Sequence, residues 1–435
     1  MDVLDFLIAP IYLFLFLFIA YIFRPYFTNQ LTKKYFIPAL LIRFFGAFMV
    51  GVIYQFYYGG GDTLNFYHLG SAKIFNAFIN EPLVGLKLIF GPNVVTSENF
   101  KYVQGLLFLR DPQSYFLIRI AAIFGILGFN SYLAIALFFA VYSFSGLWAL
   151  YHVLAQKYPE MYKYFALSIL FIPSVFFWGS GYLKDTLCIG ALGWATYCLF
   201  RFTDSKKYVL PISGLLFSLF LIYSVKPYIV MCFFPATLLY WFFASTGKIK
   251  SGFIKIIYAP LMIVILGISG YFVVDTLGKT EEKYALDNIA ETARVTAYDI
   301  RYYTGKDAGS GYSLGELDGS FLSLVKLAPQ AVNVSLFRPY LWEIRNPLML
   351  LSALESLGFL LLTVYAVVLT LQGRTNIPDK SLFIFLLTFS VLFAFAVGVS
   401  TYNFGTLSRY KIPMMPYYLT AIVLLLRSTT KIQKT

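Results

Sequence analysis

Apolar residues run through this chain in blocks close to the length of a membrane crossing, separated by short polar stretches, from one end to the other. A helix needs about 20 such residues to span the ~30 Å hydrocarbon core of a bilayer. The pattern predicts crossings at 5–23, 36–57, 131–155, 164–179, 186–202, 208–224, 227–245, 253–274, 347–371, 381–400 and 411–427. The fold expected is an all-α polytopic membrane protein with about eleven transmembrane helices. Residues 116–129 are apolar as well, but only Asn130 and Ser131 separate them from the next block, and a crossing there would invert every later loop. They read as a re-entrant or interface helix. No polar tract is large enough for a separate soluble domain, so residues 1–435 read as a single membrane domain.

Composition agrees with that pattern. Of 435 residues 59% are hydrophobic and 13% charged, with a mean hydropathy of +0.72, more apolar surface than one soluble core can hide. The first block follows Met1, Asp2 and Asp5, not a basic segment, and reads as a retained span. Cys188, Cys198 and Cys232 fall inside apolar blocks without metal-ligand spacing, as buried small hydrophobes do. The net charge of +13 is dispersed between spans and forms no basic stripe, so it argues for topology and against nucleic acid. Basic loops stay cytoplasmic. Arg24, Lys33 and Lys34; Lys157 and Lys163; Arg201, Lys206 and Lys207; Lys248, Lys250 and Lys255; Arg374 and Lys380; and Arg427, Lys431 and Lys434 therefore mark the inside. The N-terminus is then outside and the C-terminus cytoplasmic, as in a bacterial inner membrane. A first outer loop covers 58–115, and a long late outer loop, 275–346, opens with an amphipathic helix through Leu286, Ile289, Ala293, Ala297 and Ile300.

Candidate chemistry gathers where polar residues interrupt this pattern on the outer side. In YYGGGDTLNFYH three glycines free the chain to turn, and Asp62 stands at a helix start. One reading makes Asp62 the N-cap of a helix over 63–78. The other makes the same carboxylate a general base for an acceptor hydroxyl, with Tyr67 and His68 one to two turns on as substrate contacts; the two are compatible. In PSVFFWGSGYLKDTL, Pro173, Gly179 and Gly181 break helical continuity beside Lys184 and Asp185, which either offset each other or leave Lys184 for a phosphate oxygen. Lys226 snorkels, or joins Lys184 in a cationic pocket for a lipid phosphate. In SLFRPYLWEIRNP, Arg338 and Arg345 have Glu343 and Glu355 as structural ion-pair partners, the reading favoured for Arg345, while the planar fork of Arg338 also suits phosphate or pyrophosphate and Tyr340 or Trp342 presents a ring for a sugar. Arg409 and Tyr410 form a basic and aromatic turn against the positive-inside bias, which asks for an anionic partner.

An acidic residue opening the first outer loop, followed by tyrosines and an Ala/Lys helix, resembles the GT-C superfamily of polytopic glycosyltransferases, and also the exopolysaccharide polymerases. The resemblance covers topology and this one loop. Asp62 is followed by Thr63 where the superfamily usually carries a second carboxylate, so no metal ligand set is expected and no cofactor, although divalent metal is part of the superfamily pattern. The resemblance implies transfer of a sugar from a polyprenyl-phosphate donor to a glycan, lipid or protein acceptor, with membrane lipid as a further partner. Polymerisation or ligation from polyprenyl-pyrophosphate oligosaccharide is the nearest alternative. A transporter or flippase of a lipid-linked glycan is the alternative from another class, disfavoured because mid-membrane polar residues are few apart from Arg43. No P-loop, dinucleotide fingerprint, metalloprotease motif or Ser/His/Asp arrangement appears in a suitable setting.

Overall fold

The computed structural model describes residues 2–204, 208–246, 294, 295, 298, 310–312, 314 and 321–432. Among them the regular structure is helical, with one isolated bridge between Gly311 and Asn403. The expected crossing at 253–274 and the amphipathic helix of the 275–346 segment lie outside the described residues. Six described helices are long and apolar enough to cross a membrane. They are α1 (Val3–Phe27), α2 (Lys33–Val52) with its π-helical extension Ile53–Tyr57, α8 (Tyr132–Lys157), α13 (Pro227–Thr246), α15 (Pro347–Leu371) and α16 (Lys380–Ser400). The chain is thus an all-helical membrane protein. Contacts group it into two compact units, Met1–Lys226 and Pro227–Thr435.

In the first unit, α2 is followed by short helices α3 (Asp62–Phe66), α4 (Ala72–Asn80), α5 (Pro82–Phe90) and α6 (Phe100–Val103). Helix α7 (Pro112–Leu127) starts on two strong signals: the Asp111 carboxylate accepts from the Gln113 N–H, and Pro112 occupies the first helical position, where its missing N–H costs nothing. Its 16 residues span about 24 Å, short of the hydrocarbon core. Ser131 caps α8 by accepting from the Ala134 N–H. Asp5 of α1 joins that helix start: its Oδ1 accepts from the Ser131 hydroxyl at 2.7 Å and the Leu133 N–H at 3.0 Å. Phe6, Leu7, Phe14 and Phe18 on α1 are exposed, as expected of a helix whose outer face meets lipid.

The stretch expected as one crossing at 164–179 is broken. Helix α9 (Tyr162–Leu170) ends, and α10 (Pro173–Trp178) starts afresh. Pro173 has no N–H to continue the ladder and forces Ile172 into an extended conformation, ψ 124°. The chain turns through 179–183 and enters α11 (Lys184–Asp204), followed by α12 (Val209–Val225). Small residues bring these segments together. A Cβ at Gly146 of α8 would lie 1.9 Å from the Gly190 carbonyl oxygen of α11, and one at Gly46 of α2 would lie 2.0 Å from the Phe176 carbonyl oxygen of α10.

In the second unit α14 (Phe321–Phe337) crosses α16 at Gly398, where a Cβ would meet the Ala331 carbonyl oxygen at 2.2 Å. Asn346 caps α15, Asp379 caps α16, and Asn403 caps α17 (Phe404–Tyr410), which precedes α18 (Met415–Ile432).

The α8–α11 crossing gives a direct check. Gly146→Ala is expected to destabilise the protein by about 1–3 kcal/mol through overpacking, read as a lowered apparent Tm of the detergent-purified chain; an unchanged Tm would contradict the crossing.

Candidate functional site

Gly59, Gly60 and Gly61 all take positive φ, at 66°, 152° and 112°, which side chains with a Cβ rarely adopt. At Gly61 the ring of Tyr54 also closes the space, since a Cβ would lie 2.9 Å from its Cε1. Gly61 occupies the N-cap position and Asp62 becomes the first helical residue. The capping role expected of Asp62 therefore passes to Gly61, whose positive φ makes the turn. The expected helix over 63–78 is a run over 62–80 in three parts: α3, a π-helical turn Tyr67–Ser71, and α4. Together with Ile53–Tyr57, this puts a π-helical turn on either side of the Asp62 loop, a feature common beside functional sites. Asp62 is half-buried.

Neighbouring residues lock the loop. Thr63 shares a hydrogen bond with the Tyr132 hydroxyl at 2.8 Å. Tyr67 is buried, and its hydroxyl donates to the Asn130 carbonyl at 2.6 Å, so it serves as a strut. His68 is exposed, its ring against that of Tyr67. From the other side Tyr182, fully buried in the 179–183 turn, donates to the Phe66 carbonyl at 3.1 Å and stacks on Phe139. The turn that leads into Lys184 is thereby fastened to the helix that begins at Asp62.

Lys184 opens α11 with 20% of its side chain exposed, and its Nζ lies 3.6 Å from Asp111 Oδ2. It is also within electrostatic reach of Asp62 and Lys226. Partial burial works to raise the Asp111 pKa. The Ser114 hydroxyl, the Lys184 charge and the backbone N–H groups of Ser114 and Gln113 outweigh it and hold the carboxyl below the usual range. Lys226 sits at the C-cap of α12, and its ammonium meets Asp185 Oδ1 at 2.5 Å, both side chains buried. Each charge also complements its helix end, an anion near the start of α11 and a cation at the end of α12. Lys184 and Lys226 do come near each other, but Asp185 neutralises Lys226, and Lys184 is the more accessible cation.

In the second unit Arg338 is engaged in the same way. Its Nε donates to both Glu343 oxygens, at 3.1 and 3.0 Å, and its Nη2 to Glu343 Oε1. Tyr312, Tyr340 and Phe404 line the guanidinium at 5.5, 5.8 and 5.3 Å from their ring centres. An anion would have to compete with Glu343 for this fork. Burial works to raise the Glu343 pKa; the Arg338 fork, the Tyr340 N–H and the Arg338 and Arg345 charges overcome it and lower it. Trp342 is 81% exposed and stacks on Tyr340 with centroids 4.8 Å apart. Arg409 lies over the ring of Tyr410 at 5.2 Å, both half-buried. Lys411, buried beside them in sequence, donates to the Ser356 hydroxyl at 3.2 Å and to the Arg338 carbonyl at 3.5 Å.

One further feature belongs to the first unit. A groove of about 340 Å³ between α1, α2 and α8 is lined by Phe6, Leu13, Phe44, Phe48, Leu137 and other apolar side chains, with Asp5 among them. Among the described residues no group of three or more His, Cys, Asp and Glu side chains is placed to hold a metal ion. Comparison with family models, curated proteins and solved structures gives no match.

Two measurements probe these ion pairs. Lys226→Met leaves a buried carboxylate and is expected to cost about 3–5 kcal/mol, most of which Asp185→Leu/Lys226→Met recovers; apparent Tm values of the two variants in detergent give the comparison. For Glu343, a folded pKa below the ordinary value of 4.5 means its stabilisation is complete above that value and is lost as pH falls through the lowered folded pKa. Apparent Tm followed from pH 6 to about pH 3 should therefore fall less steeply in Glu343→Gln than in the parent; identical slopes would remove the assignment.

Proposed function

We propose that the chain is a membrane glycosyltransferase that moves a sugar from a polyprenyl-phosphate donor to an acceptor hydroxyl. The observation that carries this reading is the placement of Asp62 at the end of a positive-φ glycine turn between two π-helical segments, with the turn that leads into Lys184 fastened by Tyr182 to the helix that Asp62 begins. Asp62 is a half-buried carboxylate suited to a general base, Lys184 a partly exposed ammonium suited to a phosphate oxygen. Asp62 takes the acceptor proton, the acceptor oxygen bonds to the anomeric carbon, and the bond from that carbon to the phosphate oxygen breaks. Polyprenyl phosphate leaves with the electron pair, its growing charge stabilised by Lys184. The apolar groove between α1, α2 and α8 offers hydrocarbon-lined space in the same unit, compatible with a lipid-linked donor.

This reading keeps the topology of about eleven crossings, with the N-terminus and the Asp62 loop outside and the C-terminus in the cytoplasm. Outside the cell nucleotide sugars are scarce, so a donor must arrive by lipid. A polymerase or ligase using polyprenyl-pyrophosphate oligosaccharide needs the same base and more cationic contacts.

The purified protein, incubated with labelled polyprenyl-phosphate sugars and membrane acceptors, should transfer label. Asp62→Asn is expected to lower the rate by about 10²–10⁴-fold, the usual contribution of a general base, and Lys184→Met by about 10²-fold or more. Transfer at the parental rate in Asp62→Asn would sink the base assignment, and movement of intact donor across vesicles without transfer would favour a transporter.

A further inference from the structure

Arg43 lies near the middle of the helical run Lys33–Tyr57 and is 1% exposed. A cation at that depth is costly and is retained where it serves a partner. Its partners are the ends of a broken helix. Nη1 donates to the Val175 carbonyl at 2.8 Å and the Gly179 carbonyl at 3.0 Å, and lies 3.3 and 3.4 Å from the Ser143 and Ser180 hydroxyls. The Ser143 hydroxyl donates to the same Gly179 carbonyl at 2.6 Å, and the Ser180 hydroxyl to the Phe176 carbonyl at 2.6 Å. These carbonyls close α10, where the helix dipole is negative and a cation is favoured.

Three residues separate Ser180 from Lys184, and two of them, Gly181 and Tyr182, are held by other elements. A Cβ on Gly181 would lie 2.6 Å from Val50 Cγ1 of α2, so the turn is seated against the helix that carries Arg43. Tyr182 then reaches the Phe66 carbonyl of the helix beginning at Asp62. We propose that Arg43 is the positioning residue for Lys184: it anchors the end of α10, which sets the 179–183 turn and hence the ammonium that lies 3.6 Å from Asp111. This deepens the transferase reading and rests on the role assigned there to Lys184. Among the described residues the anchor is made through one nitrogen, Nη1, and Nη2 has no hydrogen-bond partner. A point donor therefore meets the need, and lysine, ordinarily a poor substitute for a forked arginine, should replace Arg43.

The test uses the full chain in detergent with Lys184→Cys as a reporter, labelled by a charged thiol reagent. Cys188, Cys198 and Cys232 are buried and contribute little background, and Lys101→Cys, at an exposed position of α6, is the control. Arg43→Met is expected to change the labelling rate at 184 about tenfold, the effect of ~1.4 kcal/mol of lost anchoring, while Arg43→Lys stays within about twofold of the parent and the rate at 101 does not move. Should Arg43→Met not fold, Ser143→Ala, which removes the second donor to Gly179, is expected to shift the rate at 184 in the same sense. The proposal is overturned by parental labelling at 184 in the folded variant, by Arg43→Lys behaving like Arg43→Met, or by an equal shift at 101. Labelling does not depend on transfer, so loss of the transferase role of Lys184 would show separately, as Lys184→Met retaining full activity.

Discussion

A backbone that stops being helical inside an apolar environment leaves carbonyl and N–H groups that no lipid can satisfy. Where α10 ends and the chain turns through 179–183 before Lys184, the first unit meets that constraint with a guanidinium. Arg43 and the hydroxyls of Ser143 and Ser180 supply donors to carbonyls of Val175, Phe176 and Gly179. The close approach this needs explains the small residues around it. Gly46 clears the Phe176 carbonyl, Gly181 clears Val50, and Gly146 with Gly190 and Gly193 lets α8 lie against α11. Remove the cation and the break has no electrostatic reason to hold its course, because an isolated half-helix of six residues is far below the length at which helices persist alone.

The break in turn decides how charge is distributed at the start of α11. Successive residues on a helix point in different directions, so Lys184 and Asp185 do not face each other. Asp185 turns inward to Lys226 and ties the start of α11 to the end of α12, while Lys184 turns toward Asp111. A buried pair of this kind contributes little net stability relative to an apolar pair, but it is intolerant of losing one member. It therefore specifies which helix ends meet more than it strengthens the unit. The same logic holds at Arg338, whose fork is held by Glu343 and whose carbonyl accepts from Ser356.

Much of this was legible in the sequence, and the rest was hidden for physical reasons. Blocks of apolar residues located the long helices, because a membrane crossing is a length requirement that composition alone expresses. Asn346 and Asp379 cap α15 and α16 by chemistry that acts within three residues, yet neither was among the features read from the sequence. The break at Pro173 was visible as a motif, yet the block around it was apolar enough to read as one crossing. Partners distant in sequence were not legible. Asp111 carried only a local signal, an aspartate before a proline, which announces a cap and says nothing of Lys184. The two π-helical turns around Asp62 have no sequence period of their own, since each inserts one residue into an otherwise helical run.

The charges of the first unit differ in how far the fold already uses them. Asp185 and Lys226 are buried against each other, and Asp111 is engaged by the N–H groups and hydroxyl at the head of its own helix. Arg43 is enclosed by the carbonyls it anchors. Asp62 and Lys184 retain partial exposure, at the ends of segments whose backbones are fixed by Tyr54, Tyr132 and Tyr182. Reachable charge on an immobile backbone is what transition-state stabilisation requires, because donors already in place need no reorganisation as charge develops. A carboxylate and an ammonium so held suit the transfer proposed above, in which a proton leaves one oxygen while negative charge grows on another.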